Sequence, residues 1–298
     1  MCIRDRYYEQ EHASVRIVDT HTNIVQIEKN WQVIFEDKTT SLELKADHSA
    51  LIMKQIWDFS QTVDIDDVKE ILDRQITCNM AIANEGIHNS YGANIGHVIL
   101  NMDSDCVKTK AKAYAAAGSD ARMNGCELPV VINSGSGNQG ITCCVPVVVY
   151  AKELDCTQEQ LYRALVLSNL TAIYIKTGIG TLSAFCGAVS AGAAAGAGIA
   201  YLHNGTYKEI QHTIVNALAI LSGTICDGAK ASCAAKIASS IDAGIMGYYM
   251  YKNKQQFYAG DGIVAHSVDE TIQNIGTLGS QGMLQTNDKI IEMMISCD

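Results

Sequence analysis

Proline is almost absent, with two in 298 residues. An internal proline removes a backbone hydrogen bond and kinks or breaks a helix, so this scarcity leaves room for long uninterrupted helices. Aromatic residues make up only 6% of the chain and charged residues 18%. Disorder needs high charge and low hydrophobicity; the 48% hydrophobic content excludes it and implies a large core. No Lys/Arg-rich run occurs and the formal net charge is −10, so the basic footprint of a nucleic-acid binder is missing and DNA and RNA are excluded as partners. No signal-peptide pattern opens the sequence, and the eleven cysteines are odd in number. That combination fits thiols kept reduced in a cytoplasm better than a disulfide framework, most of them acting as small buried hydrophobes.

What is present divides the chain by period. Ser14-Val15-Arg16-Ile17-Val18-Asp19 and Asn23-Ile24-Val25-Gln26-Ile27-Glu28 alternate, and Trp31-Gln32-Val33-Ile34-Phe35-Glu36 follows, which predicts a small β-meander. From Ser49 onward the period is helical, with Leu51, Ile52, Ile56 and Phe59 on one face and Asp64, Asp66 and Asp67 opening a second helix. Further helices are expected at 157–176, 181–203, 206–224, 229–252 and 267–280. The expected class is therefore α+β: a mainly helical domain over 49–298 after a small β-rich region at 1–48. Residues 177–202 carry no charge, long enough to span a bilayer. Their Ala- and Gly-rich content gives weak insertion energy and favours a tightly packed core helix, so no membrane partner is expected. Met1-Cys2-Ile3-Arg4-Asp5-Arg6 reads as spurious sequence at the end of an assembled fragment, and the chain is expected to be truncated at its N-terminus.

Two segments carry chemistry. Ser134-Gly135-Ser136-Gly137-Asn138-Gln139-Gly140 lies directly before an apolar run, a loop feeding a helix. Its backbone N–H groups and side-chain amides suit a small anion, although a plain turn has the same composition. It lacks both the Gly-Lys-Ser/Thr ending of a P-loop and the spacing of a dinucleotide fingerprint. Cys226-Asp227-Gly228-Ala229-Lys230-Ala231-Ser232-Cys233 places two thiols seven residues apart, on one face of a continuous helix, or still able to converge if Gly228 breaks it. This is neither a zinc nor a ferredoxin spacing, and by spacing alone two buried core cysteines explain it as well.

Those segments, with Ser119-Asp120-Ala121-Arg122-Met123, Gly262-Ile263-Val264-Ala265-His266 and His21-Thr22-Asn23-Ile24-Val25, resemble the iron–sulfur-dependent L-cysteine desulfidase family, related to the alpha chain of bacterial serine dehydratase. The likeness runs in order through nearly the whole chain. It implies a [4Fe–4S] cluster bound by Cys186, Cys226 and Cys233, leaving one iron open to substrate. It also implies an elimination that takes L-cysteine to pyruvate, ammonia and hydrogen sulfide, or L-serine by the same route. Ser134, Ser136, Gly137, Asn138 and Gln139 are candidate ligands of the amino acid's carboxylate, with Arg122, His88 and Asn23; His21, Lys230, Lys236 and His266 are further polar candidates. The family places a cysteine thought to be the base in an N-terminal Gly-Cys-Thr-Glu-Pro segment. This sequence has no such segment, and the neighbours of Cys2 do not match it, so the chain is expected to bind a cluster yet fail to turn over. A pyridoxal-phosphate lyase would need a Schiff-base lysine in a recognisable site, and none is evident. A non-catalytic protein using a cluster or zinc is the rival from another class. A homodimer is a possible assembly.

Overall fold

A computed structural model describes residues 2–8, 11–17, 24–37, 47–103, 105–180 and 183–295. His21 and Asn23 lie outside these residues. The class is α+β, mostly helical, as expected. Strands β1 (Cys2–Tyr8), β2 (Glu11–Ile17), β3 (Ile24–Lys29) and β4 (Gln32–Glu36) form one antiparallel meander in chain order. The opening segment, read above as spurious, pairs in continuous register from Cys2 with Ile17 to Tyr8 with Glu11. Asn30 and Trp31, both at positive φ, make the two-residue turn between β3 and β4, whose hand matches the strand twist.

Helices α1 (Met53–Thr62), α2 (Ile65–His88), α3 (Ile95–Met102), α4 (Val107–Met123), α5 (Gly137–Glu153), α6 (Gln158–Ile179), α7 (Gly187–Leu202), α8 (Tyr207–Ile220), α9 (Cys233–Lys252), α10 (Val268–Thr277) and α11 (Leu284–Ile295) follow. Local chemistry starts several of them. Thr157 with Gln160, Thr206 with Glu209 and Ser267 with Glu270 form capping boxes at α6, α8 and α10, which satisfy the orphan N–H groups of a first turn reciprocally. Pro146 lies inside α5 and cannot donate there; nearby, the Ser168 hydroxyl donates to the Cys143 carbonyl at 2.8 Å.

Small residues set the directions of the central helices. Gly187 faces the Gln139 side chain and Gly198 faces Val147, so α7 runs beside α5 in the same sense. A methyl group on Gly192 would stand 2.4 Å from the Ser240 carbonyl oxygen, and one on Gly196 2.6 Å from that of Gly244, so α9 runs parallel to α7 at backbone contact. Helix α4 runs the other way: Gly118 meets Ile141 while Gly137 meets Arg122, and Asp242 of α9 pairs with Lys108 at 3.0 Å and Lys112 at 2.9 Å. The N-termini of α5, α7 and α9 therefore share one end of the bundle with the C-terminus of α4. Every residue of α7 from Ala188 to Ala200 is buried, the core helix expected from its composition. Among the described residues no helix is long and apolar enough to cross a membrane.

Three expected boundaries are corrected. Helix α7 starts at Gly187 rather than 181, and α8 stops at Ile220 rather than 224, because Phe185 and Ile225 form an isolated antiparallel bridge. Its flanking bonds run from Cys186 N–H to Thr224 O at 3.0 Å and from Cys226 N–H to Ala184 O at 2.6 Å. Helix α9 starts at Cys233 rather than 229 because Gly228 takes φ +99°, a conformation that glycine adopts without cost and a helix cannot contain. The two thiols of that segment do not share a continuous helix.

Gly196→Val forces α7 and α9 apart and is expected to destabilise the chain by about 1–3 kcal/mol, as overpacking does. Gly223→Ala, where an added Cβ meets nothing within 4 Å, stays within about 0.5 kcal/mol of wild type; urea titration measures both. A second outcome concerns pH. Burial resists ionisation of Asp242, but Lys112 and Lys108 outweigh it and hold the carboxyl below its ordinary 3.8. A depressed carboxylate stabilises above its unfolded pKa and loses that contribution as pH falls through the folded value. The gap in urea midpoint between wild type and Asp242→Asn is therefore expected to be full at neutral pH and to close as pH drops below about 4.

Candidate functional site

The glycine-rich loop is a tight hairpin feeding α5. Asn133 and Ser136 exchange backbone hydrogen bonds of 3.1 and 3.0 Å, and Ser134 at φ 48° and Gly135 at φ 76° make the turn. Ser136 is the N-cap of α5, its hydroxyl 3.5 Å from the Gln139 N–H. The hairpin is anchored from beneath by residues the sequence reading did not single out. Asn133 donates to the Asn169 side-chain oxygen at 3.0 Å, Asn169 and Gln75 exchange amide bonds of 2.8 and 2.9 Å, and Asn79 pairs both ways with the Val131 backbone.

The loop faces Arg122 and α7. Arg122 Nη1 donates to Asn138 Oδ1 at 3.3 Å, and its Nε lies where a Gly137 side chain would begin. Gln139 is buried against Gly187, whose Cβ would stand 2.6 Å from the Gln139 amide carbon. Gln139 Oε1 is buried with no hydrogen-bond partner. Two further unpartnered buried hydroxyls belong to neighbouring turns at the same end, Ser119 on α4 one turn before Arg122 and Ser190 on α7 one turn after Gly187. Unmet buried polar atoms are rare in folded proteins, so three at one end of a bundle mark a place for a polar ligand.

Beside the loop stand the three proposed thiols. Cys186 caps α7 and Cys233 opens α9, neither helix having a side-chain cap. The bridge through Phe185 and Ile225 brings Cys226 to Cys186, whose thiol donates to the Cys226 sulfur. That bond, with the Gly228 N–H, Lys176 and Lys236, outweighs burial and pulls Cys226 down to about 6, while the same shared proton and burial push Cys186 up. By contrast, burial, partly offset by hydrogen bonds, drives the Cys143 thiol up to about 12, and burial with the neighbouring Cys143 raises Cys144; these two are the inert core cysteines expected of most. Cys233 accepts a weak bond from the Lys230 N–H at 3.5 Å and lies near Arg122, whose guanidinium burial holds below its ordinary pKa.

Cations surround these thiols. Lys230 and Lys236 both pair with Asp227, and Lys236 also donates to the Ile225 carbonyl at 2.8 Å. Lys176, in the last turn of α6, is only 6% exposed. It was missed in the sequence, although Asn169 and Lys176 lie seven residues apart and so on one face of α6. His88 stands exposed at the end of α2, with Nδ1 2.7 Å from the Asn84 carbonyl, and His266 is exposed before α10; among the described residues no hydrogen bond or ion pair joins either to the loop or the thiols.

A family model described as serine dehydratase alpha chain matches residues 7–292. This chain belongs to the serine dehydratase alpha chain family. A UPF0597 protein of Desulfitobacterium hafniense is 56% identical over 292 residues, which are 97% of this chain and 68% of the relative. Others from Lachnoclostridium phytofermentans and Finegoldia magna are 51% and 49% identical, over 98% and 96% of this chain and 70% and 69% of their own lengths. No solved structure is significantly similar to the chain.

The site suits the cluster that this family membership suggests. Among the described residues no three His, Cys, Asp or Glu side chains converge as for a single metal ion. A four-iron cluster asks for something wider, with each thiolate on a different iron. Three cysteines from separate chain turns, two uncapped helix N-termini and nearby Arg122, Lys176 and Lys236 match the charge of thiolate ligands. Helix N-termini carry partial positive charge.

Asn169→Ala would strand Gln75 and Asn133, both nearly buried. It is expected to cost about 1–3 kcal/mol per group left unpaired, measured by chemical denaturation.

Proposed function

We propose that the chain is the cluster- and substrate-binding part of an iron–sulfur lyase that eliminates the β-substituent of a small L-amino acid. L-cysteine is the first choice of substrate and L-serine the alternative by the same chemistry. The observation that carries this reading is the placement of the Cys186–Cys226 pair, of Cys233 at the start of α9 beside Arg122, and of a loop holding an unmet polar atom at the same end of three parallel helices. Family membership supports the reaction class.

Cys186, Cys226 and Cys233 would hold a [4Fe–4S] cluster, which when bound supplies a Lewis-acidic iron for the leaving thiolate or hydroxide. The remaining work falls to the chain. The first N–H groups of α5 and the Arg122 guanidinium face a carboxylate, the former by the helix dipole and the latter by charge-assisted hydrogen bonds. Ser134, Ser136 and Asn138 would add polar contacts to that carboxylate. Gln139 Oε1, an acceptor without a donor, suits the α-ammonium group. Holding the amino acid at both groups fixes its Cα–H and Cβ–S bonds relative to the thiol site, and burial of Gln139, Ser119 and Ser190 keeps bulk water out. Loss of the α-proton and cleavage of the Cβ–S bond release hydrogen sulfide and aminoacrylate. Tautomerisation to the imine and hydrolysis give pyruvate and ammonia.

Anaerobic reconstitution is expected to give about four irons and four acid-labile sulfides per chain, the [4Fe–4S] stoichiometry, and a Cys226→Ser, Cys233→Ser double variant is expected to give none. Equal iron in the two proteins, or none in wild type, contradicts the reading. Arg122→Lys loses the planar fork that grips a carboxylate. It is expected to weaken amino-acid binding about tenfold without loss of iron, as measured by titration of the cluster spectrum with L-serine.

A further inference from the structure

We propose that Ser183 is the positioning residue of the cysteine bridge: its hydroxyl ties the extended segment that carries Cys186 to a π-helical turn after α10, and that tie keeps Cys186 in register with Cys226. The inference deepens the cluster reading above and rests on it.

Residues 183–186 lie outside every helix and strand. The isolated Phe185–Ile225 bridge and its flanking bonds, Cys186 N–H to Thr224 O and Cys226 N–H to Ala184 O, join them to the 224–226 segment. Ser183 supplies a second anchor. Its hydroxyl donates to the Gly279 carbonyl at 2.7 Å and accepts the Phe185 N–H at 3.0 Å. One side chain thus bends the chain on itself, as serine hydroxyls do in turns, and fastens the bend to an element 96 residues away.

That element is irregular in a way that suits the task. Leu278–Gly282 is π-helical and follows α10 directly. A π-turn interrupts the regular helical ladder and recurs at functional sites. Here the Ser280 hydroxyl takes the Gly276 carbonyl at 2.7 Å, and Ser183 takes that of Gly279. Two glycines let the turn close on the bridge. A Cβ on Gly276 would stand 3.0 Å from Gly178 Cα, and one on Gly279 would stand 2.9 Å from Ile179 Cγ2 and 3.2 Å from Phe185 Cβ. Phe185, fully buried, is therefore held between the π-turn and its bridge to Ile225. Cys186 is the next residue and the N-cap of α7, so what fixes Phe185 also fixes where α7 begins and where that thiol stands. Hydrogen bonds one shell out orient metal ligands in this manner.

The chain reconstituted without oxygen provides the first readout, loss of iron to an added chelator followed by absorbance. Ser183→Ala removes the hydroxyl and Ser183→Thr keeps it. Ser183→Ala is expected to release iron about tenfold faster than wild type, the scale usual for losing a bond that orients a metal ligand, and Ser183→Thr to stay with wild type. Equal release from Ser183→Ala and wild type overturns the proposal. A second readout needs no cluster: amide hydrogen exchange of the metal-free chain, read by mass spectrometry. Ser183→Ala is expected to speed exchange in peptides covering 183–187 and 224–228 and nowhere else. Unchanged exchange there, or an equal rise along the whole chain, overturns the proposal. Thr206→Ala is the control for lost stability alone, since it removes the cap of α8 where Glu209 pairs with Lys252, at the other end of α9 from Cys233. It is expected to leave both readouts as in wild type; effects matching those of Ser183→Ala would reduce Ser183 to a structural role. Gly279→Ala, which crowds Phe185 from the turn side, replaces Ser183→Ala if that variant does not fold. Absence of iron from wild type would sink the cluster reading alone, leaving hydrogen exchange to decide on Ser183.

Discussion

The close packing of three parallel helices governs the molecule. Gly192 and Gly196 of α7 lie against Ser240 and Gly244 of α9, and Gly187 and Gly198 admit side chains of α5. Without those small residues the helix axes could not approach, and the three N-termini could not share one end. That approach concentrates three positive dipole ends in one place, and the chain adds Arg122, Lys176 and Lys236 there. The result is an interior that stabilises anions. Thiolates, a cluster they would hold and a substrate carboxylate all fit that field.

The same geometry explains why these cysteines differ from the others. Cys143 and Cys144 lie fully buried in the middle of α5, and burial there favours the neutral thiol. Cys186 and Cys226 are held by a two-residue bridge outside any helix, where the Gly228 N–H reaches the Cys226 sulfur and cations are close. The extended segments that shorten α7 and α8 are thus the ones that form the site.

Much of this was legible in the sequence. The β-meander, the helical body and the buried Ala/Gly helix follow from period and composition, and the loop and the 226–233 segment stand out by their unusual density of glycine, serine and cysteine. Helix ends near the thiols were not legible, because Ser183, Phe185 and Ile225 are compatible with a helix and only their tertiary bridge makes them extended. Asn169 was also hidden: it lies with Ser168 in a largely apolar helical stretch, and its importance comes from a partner 94 residues distant, Gln75. His88 drew notice through its glycine-containing context, yet α2 carries it to the surface.

The central claim is that three thiols at these helix ends hold four irons, one of them open to the amino acid. Mössbauer spectroscopy of the iron-57 protein, recorded with and without L-cysteine or L-serine, tests it most directly. The account predicts one iron in four with a distinct signal that shifts when the amino acid is added, the other three staying unchanged. Four equivalent irons that ignore both amino acids would contradict it.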